Sequence, residues 1–191
     1  MAESILYINA CVRKASRTAL LAEKLLSKLG GSVTELRLET CAFPALNEAY
    51  LKRRDQLLLA GDLQDPMFAL ARQFALADTI VIAAPYWDLS FPAALKQYLE
   101  QINVVGITFK YTPEGAPIGL CRAKRLFYVT TAGGAFVPEA FGFGYVKALA
   151  QNFYGIQNVQ KAEATGLDIG GADAEAIMER AMESLSRMEL N

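Results

Sequence analysis

The sequence predicts an α/β fold: one domain over 1–191, built on a doubly wound five-stranded parallel sheet in the order 2-1-3-4-5. Three observations carry this. Strand-like and helix-like segments alternate from end to end, the pattern of a parallel sheet with right-handed crossovers. Thr79-Ile-Val-Ile-Ala-Ala84 is a continuous apolar run closed by Pro85, as in a strand covered on both faces. The 191 residues are 53% hydrophobic and 20% charged, enough to bury a core, with no repeat, low-complexity segment or linker.

The elements follow in order. Ser4 to Asn9 is a short run of Ile, Leu and Tyr, read as the first strand. Thr18 to Leu29 reads as a helix, with Leu21, Leu25 and Leu29 four apart on one face and Gly30-Gly31 stopping it. Ser32 to Leu38 alternates as a second strand, with Val33, Leu36 and Leu38 among polar residues. A loop is expected around Phe43-Pro44, then a helical stretch from Asn47 to Leu59. Asp65-Pro66 looks like a helix start with proline in the first turn, and Met67, Leu70 and Phe74 form its buried face. The apolar strand at 79–84 leads to a helix over Pro92 to Ile102. Residues 106–119, dense in Gly, Pro, Thr and aromatics, read as a loop or small hairpin. Arg125 to Thr131 is the fourth main strand, Phe141 to Phe153 a helix, and Asn158 to Thr165 the last strand. Ala172 to Met188 closes the chain as a helix with Ile177, Ala181, Met182 and Leu185 on one face.

Composition removes whole classes of chemistry. The chain has no histidine, so a Ser-His-Asp triad, a Cys-His pair and a His-ligated metal are all excluded. With 19 Lys and Arg against 20 Asp and Glu, it lacks the basic excess of a nucleic-acid binder. Cys11, Cys41 and Cys121 lie far apart, fit no Cys-x-x-Cys spacing and are odd in number, which points to a reducing compartment. No stretch approaches a membrane span, and Met1-Ala-Glu-Ser lacks the basic start of a signal peptide. A cytoplasmic protein without a membrane or nucleic-acid partner is expected.

In open parallel sheets ligands bind beyond the carboxyl ends of the strands, where the strand order reverses. For this order the point lies between strands 1 and 3, and three loops meet there. Ala10-Cys-Val-Arg-Lys-Ala-Ser-Arg-Thr18 ends with two hydroxyls and Arg17 at a helix start, where free N–H groups and the helix dipole attract phosphate. GxGxxG and GxxxxGK[ST] are absent, so a single terminal phosphate suits the loop better than a buried pyrophosphate. The plainer reading is that Ser16 only caps the helix. Ala84-Pro-Tyr-Trp-Asp-Leu-Ser-Phe-Pro92 offers a stiff, aromatic wall for a flat heteroaromatic ligand; alternatively Tyr86, Trp87 and Phe91 cover the next helix. Thr130-Thr-Ala-Gly-Gly134 lets a ligand approach the backbone closely, or is an ordinary strand-to-helix turn.

The Pro85-Tyr-Trp-Asp-Leu89 loop, Gly106-Ile-Thr-Phe-Lys-Tyr111, Gly119-Leu120 and Thr131-Ala-Gly-Gly134 together resemble the flavodoxin-like NAD(P)H:quinone oxidoreductase and FMN-dependent azoreductase family. The likeness is strongest over 79–134 and runs nearly end to end. It implies a flavodoxin-like sheet, noncovalent FMN, and a homodimer with the active site at the subunit interface. By position it implies that Ser16, Arg17 and Thr18 hold the phosphate. Pro85, Tyr86, Trp87, Asp88 and Leu89 would line the isoalloxazine, with main-chain N–H groups toward its N5 edge. Thr131, Ala132, Gly133 and Gly134 would flank the other side. NADH or NADPH would give a hydride to the flavin, and a quinone or azo compound would then take it in ping-pong fashion. No side chain is assigned as acid or base, since the flavin carries the chemistry. Phe109 and Tyr111 are expected to join Tyr86 and Trp87 in an apolar acceptor slot, and the aromatics from Phe136 to Tyr154 to form the dimer surface or, alternatively, to pack inside the monomer. The chain departs from the family's bacterial azoreductases at Ala10, where serine is usual, and at Asp88, where asparagine is usual. The Tyr-His relay of the animal quinone reductases is impossible without histidine. A flavodoxin-type electron carrier is the alternative, although near-neutral charge counts against it. A non-catalytic flavin- or nucleotide-sensing protein is a third reading.

Overall fold

A computed structural model describes residues 2–190. Its elements are β1 (Ser4–Asn9), α1 (Arg17–Leu29), β2 (Ser32–Arg37), α2 (Glu48–Leu59), α3 (Ala69–Leu76), β3 (Thr79–Ala83) and α4 (Ala93–Ile102). They continue with β4 (Phe109–Tyr111), β5 (Pro117–Gly119), β6 (Arg125–Thr131), α5 (Phe143–Leu149), β7 (Asn158–Ala164) and α6 (Ala174–Arg187). Five strands pair in parallel in the order β2-β1-β3-β6-β7, the flavodoxin-like order. The remaining two, β4 and β5, form the antiparallel hairpin of the 106–119 segment.

Strand periodicity divides the core in two. Leu6 and Ile8 of β1, Ile80 and Ile82 of β3, and Leu126 and Tyr128 of β6 face one side, where Phe74 of α3, Leu95 and Tyr98 of α4 and Val146 of α5 cover them. Ile5, Tyr7, Val81, Ala83, Phe127 and Val129 face the other, under Leu21 and Leu25 of α1 and Met178 and Leu185 of α6. β3 is buried along its whole length, which is why it reads as one apolar run.

Several local expectations are corrected. β2 is an edge strand exposed along most of its length: Val33 is open to solvent, Leu36 is half-buried, and only Leu38, just past the strand, enters the core. The proline at 66 opens one tight turn (Pro66–Phe68), with Asp65 accepting from the Met67 N–H at 2.9 Å, before α3 begins. Phe68, Ala71 and Phe74 are buried there, while Met67 and Leu70 are only half-buried. The helix expected over 141–153 is α5 followed by a wider π turn (Ala150–Tyr154) that ends at Gly155. Gly155 lies against Gly119 of the hairpin: a Cβ on Gly119 would stand 2.1 Å from the Gly155 nitrogen, so only glycine admits this approach. Among the described residues no helix is long and apolar enough to cross a membrane.

Candidate functional site

The carboxyl ends of β1, β3, β6 and β7 surround a cavity of about 450 Å³ at the point where strand order reverses. Nine of the residues singled out in the sequence line it: Ser16, Arg17, Thr18, Pro85, Tyr86, Trp87, Thr131, Ala132 and Gly133. Asp88, Leu89 and Gly134 do not. Val12, Arg13, Ala15, Leu167 and Asp168 complete the wall.

The polar end is the start of α1. Ser16 is the N-cap: its Oγ accepts from the Ala19 N–H at 3.2 Å, and its hydroxyl lies within hydrogen-bonding reach of the Cys11 thiol. The Arg17 and Thr18 N–H groups sit in the first turn, where no intrahelical acceptor exists. Arg13 and Arg17 add positive charge. Thr18 behaves differently from Ser16: it is 1% exposed, and its Oγ1 shares a 2.6 Å hydrogen bond with Thr131 Oγ1, tying α1 to β6 beneath the cavity. Arg17 is also engaged, its NH1 lying 2.8 Å from Asp168 Oδ1. Ser16 therefore caps α1 while bordering the cavity.

The aromatic end is the loop after β3. The Tyr86 N–H donates to Thr131 O at 3.0 Å, and Trp87 and Ser90 exchange backbone bonds of 3.1 and 2.8 Å. These bonds make a two-residue turn with Asp88 and Leu89 at its tip, both left-handed with φ of 50° and 64°. That conformation is disfavoured for leucine, so the turn holds strain of about 1–3 kcal/mol beside the cavity. The Tyr86 and Trp87 N–H groups are thus spent on the protein, and the tip amides of Asp88 and Leu89 are the loop's remaining candidates for a ligand. The Asp88 side chain is exposed and off the cavity wall, so the extra charge relative to the family's asparagine stands in solvent. Ala10 is buried and lines no part of the cavity. The Tyr86 hydroxyl is buried without a partner among the described residues, and burial raises its pKa.

The third loop is zipped to the segment after β7. Ala132 N donates to Ala164 O, Asp168 N to Gly133 O and Gly166 N to Gly134 O, each at 2.9 Å. Leu167 and Asp168 reach the cavity through this ladder. The sequence offered a cue for them, since they follow the last strand at the same sheet edge as the other three loops. Arg13 was equally legible as a cation inside the first loop.

One expectation fails and one narrows. Phe109 and Tyr111 do not border the cavity: Phe109 is buried against Phe153, with ring centroids 4.8 Å apart, and Tyr111 packs on Phe109 at 5.4 Å, on the hairpin. Of the aromatics from 136 to 154, Phe143 and Tyr154 are core residues, and Tyr145 and Phe153 pack on Phe91 and Phe109. Only Phe136 and Phe141 of that set stay exposed, at 77% and 56%. Cys11 is 3% exposed, and burial pushes its thiol pKa up, which suits a packing role rather than a reactive one.

The family model for the flavodoxin-like fold matches residues 3–188. An FMN-dependent NADH:quinone oxidoreductase of Clostridium perfringens is 32% identical over 188 residues, covering 94% of each chain. One of Clostridium beijerinckii is 39% identical over 128 residues, which is 66% of this chain and 64% of that relative. Among solved structures, an azoreductase from Bacillus anthracis superposes with a TM-score of 0.83 at 25% identity over 97% of both chains. With its strand order and the loops at its switch point, the chain belongs to the flavodoxin-like NAD(P)H:quinone oxidoreductase and azoreductase family.

Proposed function

We propose that this chain is an FMN-dependent NADH oxidoreductase that reduces quinones or azo compounds two electrons at a time. The observation that carries the reading is the two-ended cavity at the switch point. One end is the start of α1, with the Ser16 hydroxyl, first-turn amides and cations suited to a phosphomonoester; the other is walled by Pro85, Tyr86 and Trp87, suited to a flat ring. The donor set fits FMN. No glycine-rich loop serves a pyrophosphate, and the Thr131–Gly133 backbone gives the ring system a thin second wall.

Bound FMN would supply hydride acceptance and delivery. The protein's part is position and electrostatics. Ser16 Oγ–H and the Arg17 and Thr18 amides would hold the phosphate, Trp87 and Tyr86 would hold one edge of the ring, and Ala132 and Gly133 the other. The 87–90 turn would present the Asp88 and Leu89 amides. No side chain of this chain is assigned proton transfer. One open cavity receiving donor and acceptor in turn supports ping-pong kinetics. Trp87, Leu89, Phe136 and Phe141 are large, exposed apolar residues on the loops beside the cavity, with Phe141 O accepting from Ser90 Oγ at 2.9 Å. Such a patch supports a homodimer that covers the cavity mouth.

Heat-released cofactor resolved by chromatography tests the reading, together with NADH oxidation in the presence of a quinone. FMN and turnover are expected. FAD as the sole flavin, or a colourless protein that takes up no FMN, would refute it.

A further inference from the structure

Asp168 is the one acidic side chain on the cavity wall among the described residues, and it is ion-paired to Arg17 of the end proposed for an anion. It is placed there by construction. Its N–H donates to Gly133 O at 2.9 Å, which pins the backbone. A Cβ on Gly133 would come within 2.4 Å of Asp168 Oδ2, so glycine at 133 leaves room for the carboxylate. Its Oδ1 then takes Arg17 NH1 at 2.8 Å. The pair is open to water, with side chains 45% and 69% exposed, so it is screened and breakable.

A carboxylate here has two consequences for a phosphate. It anchors the Arg17 guanidinium at Asp168 through NH1, so the group's remaining N–H donors meet a phosphate only as far as that anchored position allows. It also leaves the phosphate end with less net positive charge than the loop sequence suggests. Resting on the FMN reading, we infer that Asp168 is a specificity-determining residue that holds Arg17 in an internal ion pair and so lowers the site's preference for phosphorylated flavin. The phosphate of FMN meets an Arg17 that Asp168 anchors and partly neutralises, whereas riboflavin, with no phosphate, makes no demand on the pair.

The test compares FMN and riboflavin affinities by flavin fluorescence quenching on the apoprotein, at low salt, for wild type, Asp168→Asn, Arg17→Ala and the double variant. Asparagine keeps the shape beside Gly133 and removes the charge. Asp168→Asn should bind FMN about threefold to fivefold more tightly, the scale of an exposed ion pair, with riboflavin affinity unchanged. The gain should be smaller in the Arg17→Ala background, where only the direct charge of Asp168 is left to remove, and should shrink in about 1 M salt. Unchanged or weaker FMN binding by Asp168→Asn overturns the inference. So does an equal change for FMN and riboflavin, or a gain undiminished in Arg17→Ala. If wild type binds neither flavin, the FMN reading falls and takes this inference with it; normal FMN binding with an indifferent Asp168→Asn sinks the inference alone.

Discussion

Replacing Thr18 by Val separates what holds α1 in place from what would hold a phosphate. Thr18 and Thr131 share a hydrogen bond of 2.6 Å, with side chains on residues only 1% and 9% exposed. Valine keeps the volume and removes one partner, leaving the Thr131 hydroxyl unpaired. An orphaned buried hydroxyl costs about 1–3 kcal/mol, and Thr131 lines the cavity, where water can reach it, so about 1–2 kcal/mol is expected. For a chain of this size that lowers Tm by about 2–8 °C. The double variant Thr18→Val, Thr131→Val removes both partners and should melt closer to wild type than the sum of the single losses. FMN affinity should move by less than about threefold in Thr18→Val, because that hydroxyl faces β6. Ser16→Ala should weaken FMN by about tenfold or more, losing a hydrogen bond to a charged group. Differential scanning fluorimetry and flavin titration read the two effects. If Thr18→Val melts like wild type yet loses as much FMN affinity as Ser16→Ala, the assignment of its hydroxyl to Thr131 is wrong.

Other outcomes follow from the same geometry. Trp87→Ala should cost about 2 kcal/mol, below the 3–5 of a fully buried tryptophan, because Trp87 is 38% exposed and its backbone bonds to Ser90 survive. FMN and riboflavin affinities should fall together, and a loss confined to FMN would contradict a ring-holding role. Phe136→Glu, on a side chain 77% exposed, should shift light scattering toward monomer without lowering Tm of the monomeric fraction; an unchanged oligomer removes that face from the interface. Burial pushes the Cys121 thiol up to about 12, so the folded state holds that proton more tightly than the unfolded chain. The resulting stability is complete below the unfolded thiol value of about 8.5 and is lost as pH rises toward the folded value. Melting temperature should therefore decline above about pH 8.5, and Cys121→Ala should flatten the decline; an identical profile would discount the thiol. Gly119→Ala should unseat the hairpin, since its Cβ would meet backbone atoms of Tyr154 and Gly155 at 2.1 Å that no rotamer change can clear. A variant as stable as wild type would show that this approach is not required.

The sequence by itself determined the sheet. Alternating elements and the run at 79–84 are local patterns, and a strand flanked by helices on both faces leaves few orders open. The carboxyl-edge rule also pointed to the three loops, and the family resemblance to the residues within them, of which nine line the cavity. Tertiary structure decided the rest, wherever the answer depended on which partner a group meets. Ser16 and Thr18 look alike as two hydroxyls at one helix start, yet one faces the cavity and the other is bound to Thr131, 113 residues away. Phe109 and Phe143 look like binding or interface aromatics, but Phe109 is held by Phe153 across the hairpin packing and Phe143 is drawn beside Tyr128 on the sheet. Asp168 lies in a glycine-rich segment with no motif of its own, and only the bonds between the loops after β6 and β7 carry it to Arg17. Periodicity encodes which face of an element is apolar; it does not encode the long-range pairing that gives each polar group its partner.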